Sequence, residues 1–222
     1  MQVEIWLWSL QANNSTLERY HGLLSADERA RADRFVKPRD AASFTAGRAR
    51  LREILGAEIG RDPASLVFKY GPQGKPSLVD GPAFNLSHSG GLAALAIAGT
   101  DILGIDIEKI RPVETGVAER FFSSQESRDL ATLPPSQWLE GFYRCWTRKE
   151  AVIKAVGQGL SMPLDSFDVT LLPDTPAKLS RITGGDARDW QLAHFIPTAG
   201  FKGALAVRTN GTSLKLNWRE RL

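Results

Sequence analysis

The 222-residue sequence predicts an α+β fold with a faint internal repeat. Three observations predict it. Stretches that alternate apolar and polar residues like strands are interleaved with stretches of helical periodicity along the whole chain. Each half opens on a strand and carries a long helix closed by glycine, with further strands behind it. Each half also sets an Arg-Phe pair ahead of its long helix, Arg34-Phe35 and Arg120-Phe121. The join falls near Thr100-Asp101, which divides the chain into residues 1–101 and 102–222.

In order, Val3 to Leu10 alternates as a strand, with Trp6 and Trp8 on one face. Ser25-Ala26-Asp27-Glu28 has the form of a capping box opening a helix toward Phe35, and a longer helix runs from Asp40 through Leu55 to end at Gly56. Leu66 to Lys69 is a short strand leading into the loop Tyr70 to Pro76. Phe84 to Ser87 and Leu92 to Ala98 are strands around a Ser-His-Ser-Gly-Gly turn. In the second half Leu103 to Glu108 is a strand, Val113 to Arg120 a short helix, and Glu126 to Leu133 another that Pro134-Pro135 stops. Gln137 to Val156 is the longest helix, ended by Gly157. Strands follow near Phe167 to Leu172, Trp190 to Phe195, Gly203 to Arg208 and Ser213 to Trp218.

Composition narrows the class. With 42% hydrophobic and 24% charged residues the chain is an ordinary globular protein able to bury a core. Leu92 to Ala98, the longest apolar stretch near the motifs below, is far short of the roughly 20 residues that span a bilayer. The start, Met1-Gln2-Val3-Glu4-Ile5, lacks the basic and apolar pattern of a secretion signal. The one cysteine, Cys145, has no partner for an intramolecular disulfide and reads as buried packing, in keeping with a reducing cytoplasm. The net charge of +3 is uneven: residues 29–52 hold eight arginines and lysines against Asp33 and Asp40. Such a segment is either a solvated helix face or a clamp for a phosphate-rich ligand, with Arg48 and Arg52 one helical turn apart.

Three segments carry the chemistry: Asn85-Leu86-Ser87-His88-Ser89-Gly90-Gly91, Gly104-Ile105-Asp106-Ile107-Glu108-Lys109, and Trp146-Thr147-Arg148-Lys149-Glu150-Ala151-Val152-Ile153-Lys154. On a strand, Ile105 and Ile107 point one way while Asp106 and Glu108 point the other, side by side. On a helix, Glu150 and Lys154 share a face. Three convergent carboxylates without a Cys or His cluster suit a hard divalent cation that takes phosphate oxygens as further ligands. His88, between two serines and before two glycines, suits an anion. Taken singly, Asp-x-Glu is equally the solvent face of a strand, and Glu150 with Lys154 an ordinary surface salt bridge.

The order and wording of these segments, with Gly74-Lys75-Pro76, Phe121-Phe122-Ser123 and Pro163-Leu164-Asp165-Ser166-Phe167, resemble the phosphopantetheinyl transferases, in particular the surfactin-synthetase-activating (Sfp-type) group. The resemblance implies two α+β subdomains related by a pseudo-two-fold axis, with the active site in the cleft between them. It implies transfer of the 4′-phosphopantetheine group of coenzyme A to a serine of an apo acyl, peptidyl or aryl carrier protein, releasing adenosine 3′,5′-bisphosphate. Mg²⁺, or Mn²⁺, would be held by Asp106, Glu108 and Glu150. These three, with Lys154, would carry the chemistry from an open cleft. Arg48, Gly74, Lys75, Pro76, Ser87, His88 and Lys154 would contact coenzyme A, with Arg31 and Arg52 as weaker candidates. Glu150, a metal-bound water or Glu126 would take the serine proton. The resemblance also implies a cytoplasmic monomer with no nucleic-acid or membrane partner, and transient carrier contact at residues 157–168, where Leu160, Met162 and Leu164 offer apolar anchors. A metal-dependent nuclease and a non-catalytic coenzyme A or carrier-binding module are the competing classes.

Overall fold

The computed structural model describes residues 1–100, 102–114 and 116–220, apart from the side chains of Leu160 and Glu220. Asp101, at the expected join, lies outside the described residues. The strands are β1 (Gln2–Ser9), β2 (Phe68–Tyr70), β3 (Pro76–Leu78), β4 (Ala83–Ser89), β5 (Leu92–Ala98), β6 (Leu103–Lys109), β7 (Phe167–Val169), β8 (Leu179–Ile182), β9 (Trp190–Phe195), β10 (Phe201–Arg208) and β11 (Lys215–Glu220). The helices are α1 (Asn14–Leu23), α2 (Ala26–Ala32), α3 (Pro38–Ile59), α4 (Val117–Phe121), α5 (Ser124–Ala131) and α6 (Pro135–Val156).

The internal repeat, faint in sequence, is plain in topology. One sheet runs β11-β1-β5-β4 and the other β6-β10-β9, and β1-β5-β4 and β6-β10-β9 are both antiparallel throughout. In each half the first strand is followed by a 22-residue helix, then a small hairpin, β2–β3 or β7–β8, then the two remaining strands. Both long helices begin on proline, whose missing N–H is no loss in a first turn, and both end on a left-handed glycine, Gly60 or Gly157. The last strand, β11, returns to pair parallel with β1 and completes the first sheet.

Alternation decides what each sheet covers. Val3, Ile5 and Leu7 of β1 and Ala94, Ala96 and Ala98 of β5 pack against Ile105, Ile107, Leu205 and Val207 of the second sheet, so one core lies between the sheets. Trp6, Trp8, Leu95 and Ile97 point the other way and bury Leu51, Ile54 and Leu55 of α3. The outer face of the second sheet is covered by α6, whose Ala151, Val152 and Ala155 join Ala204 and Ala206. No helix among the described residues is long and apolar enough to cross a membrane.

Several boundaries differ from the sequence expectation. The chain continues in α3 through Gly56, where a Cβ would sit 2.7 Å from the Arg61 carbonyl, and stops at Gly60, whose φ of +65° ends the helix. Gly56 serves a close approach and Gly60 the cap. Pro134-Pro135 opens α6 as much as it stops α5. β4 runs on through His88 and Ser89, so the turn is Gly90-Gly91 alone. Helix α1 goes unexpected because it buries no residue and so has no apolar stripe, although Asn13 caps it through Thr16 N–H at 2.9 Å. The capping box at Ser25 and Glu28 forms as expected.

Gly104 sets the approach of α6 to β6: a Cβ there would lie 2.0 Å from the Ala151 carbonyl oxygen and 2.5 Å from Ala155 N. Both are backbone atoms, so no rotamer change relieves the clash. Gly104→Ala is therefore expected to cost about 3 kcal/mol, the upper part of the range for overpacking, as a lower urea midpoint.

Candidate active site at the junction of the two halves

Because Ile105 and Ile107 face the inter-sheet core, Asp106 and Glu108 face α6, where Gly104 has let the helix come close. Asp106 is only 3% exposed, not the open-cleft carboxylate expected. Its Oδ1 accepts from the Ser87 hydroxyl at 2.9 Å and from Lys154 Nζ at 2.6 Å, while its Oδ2 is buried without a hydrogen-bond partner. Burial pushes the Asp106 pKa up, against the pull of Lys154 and Ser87. Glu108 accepts from the Ser89 hydroxyl at 2.6 Å, and its pKa is raised by burial, with the Asp106 charge adding to it. Glu150 is raised by burial and then by the charges of Asp106 and Glu108, opposed by Lys154. The three acids thus share one field with a single lysine bonded among them.

Lys154 Nζ also donates to Ser87 Oγ at 2.9 Å. That hydroxyl further accepts from Ile107 N–H at 3.2 Å, so its one donor and two acceptor positions are all used. His88 stands exposed on β4, opposite Ala93. Crowding of its ring lowers its pKa, as do the charges of Lys154 and, more weakly, Arg31, while Asp106 opposes them. Ser87, Asp106, Glu108, Glu150 and Lys154 therefore converge, while His88 leaves the opposite face of β4 and feels Lys154 and Asp106 only through their charges.

The other candidates are placed elsewhere. Lys75, in the β2–β3 turn where Gly74 adopts φ +78° and Pro76 opens β3, reaches the Leu103 and Ala155 carbonyls at 3.1 and 3.3 Å. It bridges the first half to the start of β6 and to the end of α6, where Ala155 follows Lys154. Arg48 is buried, 3.4 Å from Glu28, with its guanidinium over the rings of Phe44, Phe68 and Tyr70 and Nη1 without a hydrogen-bond partner. Arg52 is fully buried, bonded to Glu28 at 2.7 Å and to the Pro63 and Leu66 carbonyls. Arg31 is exposed over Phe44. Glu126 is buried and spent: it accepts from Ser123 N–H, Val169 N–H and the buried Lys149 ammonium at 2.7 Å. Cys145 is free and buried, its thiol pKa pushed well up by burial. Met162 and Leu164 are core residues under α6, folded in by the short turns after the helix, so neither offers a docking anchor, and the Leu160 side chain lies outside the described residues.

Two known family models match consecutive parts of this chain: the 4′-phosphopantetheinyl transferase N-terminal model over residues 8–100 and the 4′-phosphopantetheinyl transferase superfamily model over 102–208. The 4′-phosphopantetheinyl transferase HetI of Nostoc sp. is 40% identical over 213 residues, 93% of this chain and 87% of HetI. The chain belongs to the 4′-phosphopantetheinyl transferase family. It is of the Sfp type, with 37% identity to Sfp of Bacillus subtilis over 159 residues, 71% of this chain and 70% of Sfp. The solved holo-[acyl-carrier-protein] synthase of Thermotoga maritima overlaps 49% of this chain and 62% of its own at 22% identity and a TM-score of 0.39.

Sequence reasoning missed how the transferase joins its halves. Asn85, Ser87 and Ser89 project from β4 toward β6 and accept from the N–H groups of Ile105, Ile107 and Lys109 at 2.9, 3.2 and 3.2 Å. The signal was present as polar residues at every second position of a strand whose neighbour, β5, carries Ala96 and Ala94 opposite Asn85 and Ser87 and Leu92 opposite Ser89.

The raised pKa of Glu150 has a stability consequence with a definite sign. A carboxyl whose folded pKa lies above its unfolded value costs stability once both states are ionised, and the cost fades as pH falls through the folded pKa. Glu150→Gln is expected to melt higher than the parent at pH 7, and the difference to vanish below about pH 4, where the carboxyl is protonated in both states.

Proposed function

We propose that this transferase moves the 4′-phosphopantetheine arm of coenzyme A to a serine of an apo acyl, peptidyl or aryl carrier protein, acting as a cytoplasmic monomer and releasing adenosine 3′,5′-bisphosphate. The observation that supports this most is the convergence of Asp106, Glu108 and Glu150 with Lys154 and Ser87, drawn from both halves of one chain.

The donor set fits a hard divalent cation, Mg²⁺ or Mn²⁺. Asp106 raises the pKa of Glu108, both raise that of Glu150, and Asp106 Oδ2 is buried without a hydrogen-bond partner. As placed, no three His, Cys, Asp or Glu side chains among the described residues are set to hold a metal ion, so the three acids would draw together around it. Asp106, Glu108 and Glu150 would hold the ion, which when bound supplies positive charge against the pyrophosphate oxygens. This chain's own residues do the rest. The carrier serine oxygen forms a bond to the β-phosphorus of coenzyme A as the bond to the bridging oxygen breaks. Glu150, beside the site where the serine would attack, would take the serine proton. Lys154 stands ready to neutralise the departing phosphate, Arg31 adds positive field at the rim, and His88, its pKa lowered, offers a neutral imidazole. Glu126 takes no part as base, since its oxygens are committed to Lys149 and to backbone N–H groups. Arg48, with unspent guanidinium capacity among three rings, suits the nucleotide end of coenzyme A.

The direct experiment incubates the protein with coenzyme A, Mg²⁺ and a panel of apo carrier proteins and reads each carrier by intact mass. One phosphopantetheine per carrier is expected, and Asp106→Asn should slow its appearance at least about a hundredfold, roughly 3 kcal/mol of transition-state stabilisation. Carriers that stay unmodified under all conditions would refute the reading. Carrier proteins are commonly acidic around the accepting serine, and residues 29–39 present exposed Arg31, Arg34, Lys37 and Arg39. Raising salt from 0.05 to about 0.5 M is therefore expected to raise KM for the carrier more than kcat changes, because screening weakens charge-steered encounter.

A further inference from the structure

The three bonds from β4 to β6 replace a backbone ladder: Asn85 Oδ1, Ser87 Oγ and Ser89 Oγ receive the N–H groups of alternate residues of β6. Asn85 is level with Gly104, which has no side chain to direct. Ser87 and Ser89 do a second thing with the same hydroxyl, since each donates its own proton to the acid beside the N–H it receives. Ser87 serves Asp106, and Ser89 serves Glu108.

Resting on the metal-site reading above, we infer that Ser89 is a positioning residue for Glu108, fixing by one hydroxyl both the backbone of β6 and the carboxylate orientation needed for divalent-cation binding. The Ser89 Oγ to Glu108 Oε2 bond, at 2.6 Å, is a short charge-assisted bond, and the Ser89 Oγ to Lys109 N–H bond at 3.2 Å ties the same atom to the strand. The following turn holds that serine in place. Gly90 has φ +56°, and a Cβ on it would lie 2.8 Å from Lys109 Cβ and 2.9 Å from Phe201 Cζ, so the end of β4 is pressed against β6 and β10. Glu108 itself is only partly buried and, among the hydrogen bonds seen here, accepts from Ser89 alone. Losing the hydroxyl frees its rotamers, and ordering them again falls on cation binding.

The test compares wild type, Ser89→Ala, Ser89→Thr and Asp106→Asn by Mn²⁺ titration of the free protein, followed by electron paramagnetic resonance, with melting temperature and metal-free coenzyme A affinity measured alongside. Ser89→Ala is expected to weaken Mn²⁺ about tenfold while melting and coenzyme A affinity stay at the wild-type values, and Ser89→Thr, which restores the hydroxyl, should recover the Mn²⁺ affinity. Wild-type Mn²⁺ affinity in Ser89→Ala, with Asp106→Asn defective, would overturn the positioning role and leave the metal site standing. A loss in Ser89→Ala that tracks a fall in melting temperature, or that Ser89→Thr does not repair, would equally overturn it in favour of a purely structural seam. Absence of Mn²⁺ binding in the wild type would remove the metal-site reading and this inference together.

Discussion

A single carboxylate, Asp106, buried where β4, β6 and α6 meet, is the constraint on which the rest of the arrangement depends. An ionised group with almost no exposure is costly unless its oxygens are paired, and the pairing has to come from two directions. Lys154 reaches it from α6 because Gly104, Ala204 and Ala206 put only small residues beneath that part of the helix. Ser87 reaches it from β4 only because the two halves are joined edge to face by side chains in place of a backbone ladder. One acid thereby fixes the distance of the helix and the docking of the halves. Its unpaired Oδ2 is the part of that arrangement left for a ligand.

The orientation of α6 is set by residues interleaved with those of the site. Thr147 bonds back to the Tyr143 carbonyl, Arg144 reaches the Leu171 carbonyl at 2.7 Å, Arg148 bonds to Thr170, and Lys149 buries its charge against Glu126 and the Phe167 carbonyl. These anchors hold one side of the helix to α5 and to the segment following β7. Glu150 and Lys154 then face β6. The compact Thr-Arg-Lys-Glu run is thus one helix turn whose neighbouring side chains diverge, Arg148 and Lys149 anchoring the helix while Glu150 faces β6. The cost is visible nearby: Arg144, Arg148 and Lys202 surround His194, and burial with their charges drives its pKa down to about 4.

Duplication explains why the site lies at a seam. Two copies of the strand, long helix, hairpin and strand-pair pattern place equivalent first strands against a common core, and the edge of one sheet meets the face of the other. The nucleotide-side candidates Arg48 and Arg31 belong to the first copy and the acids to the second. The comb of Asn85, Ser87 and Ser89 makes the geometry of the acids depend on how the first copy sits.

Local patterns in the sequence determined what local forces control: the alternation that turns Asp106 and Glu108 away from Ile105 and Ile107, the capping box at Ser25 and Glu28, the glycine that ends α6, and the shared face of Glu150 and Lys154. The joint order of the motifs was enough to carry the family. Tertiary structure decided which polar residues were spent on the fold. Arg52, Glu126 and Lys75 look in sequence like candidates for a phosphate or a proton, yet each meets partners 11 to 80 residues away in the chain, and a charge is committed or available according to which distant group packing brings to it. The same holds for Met162 and Leu164, apolar residues in a loop that become core because short turns return them to α6. Periodicity fixes the face from which a side chain leaves its own element, while the identity of what it meets there is a property of the packed whole.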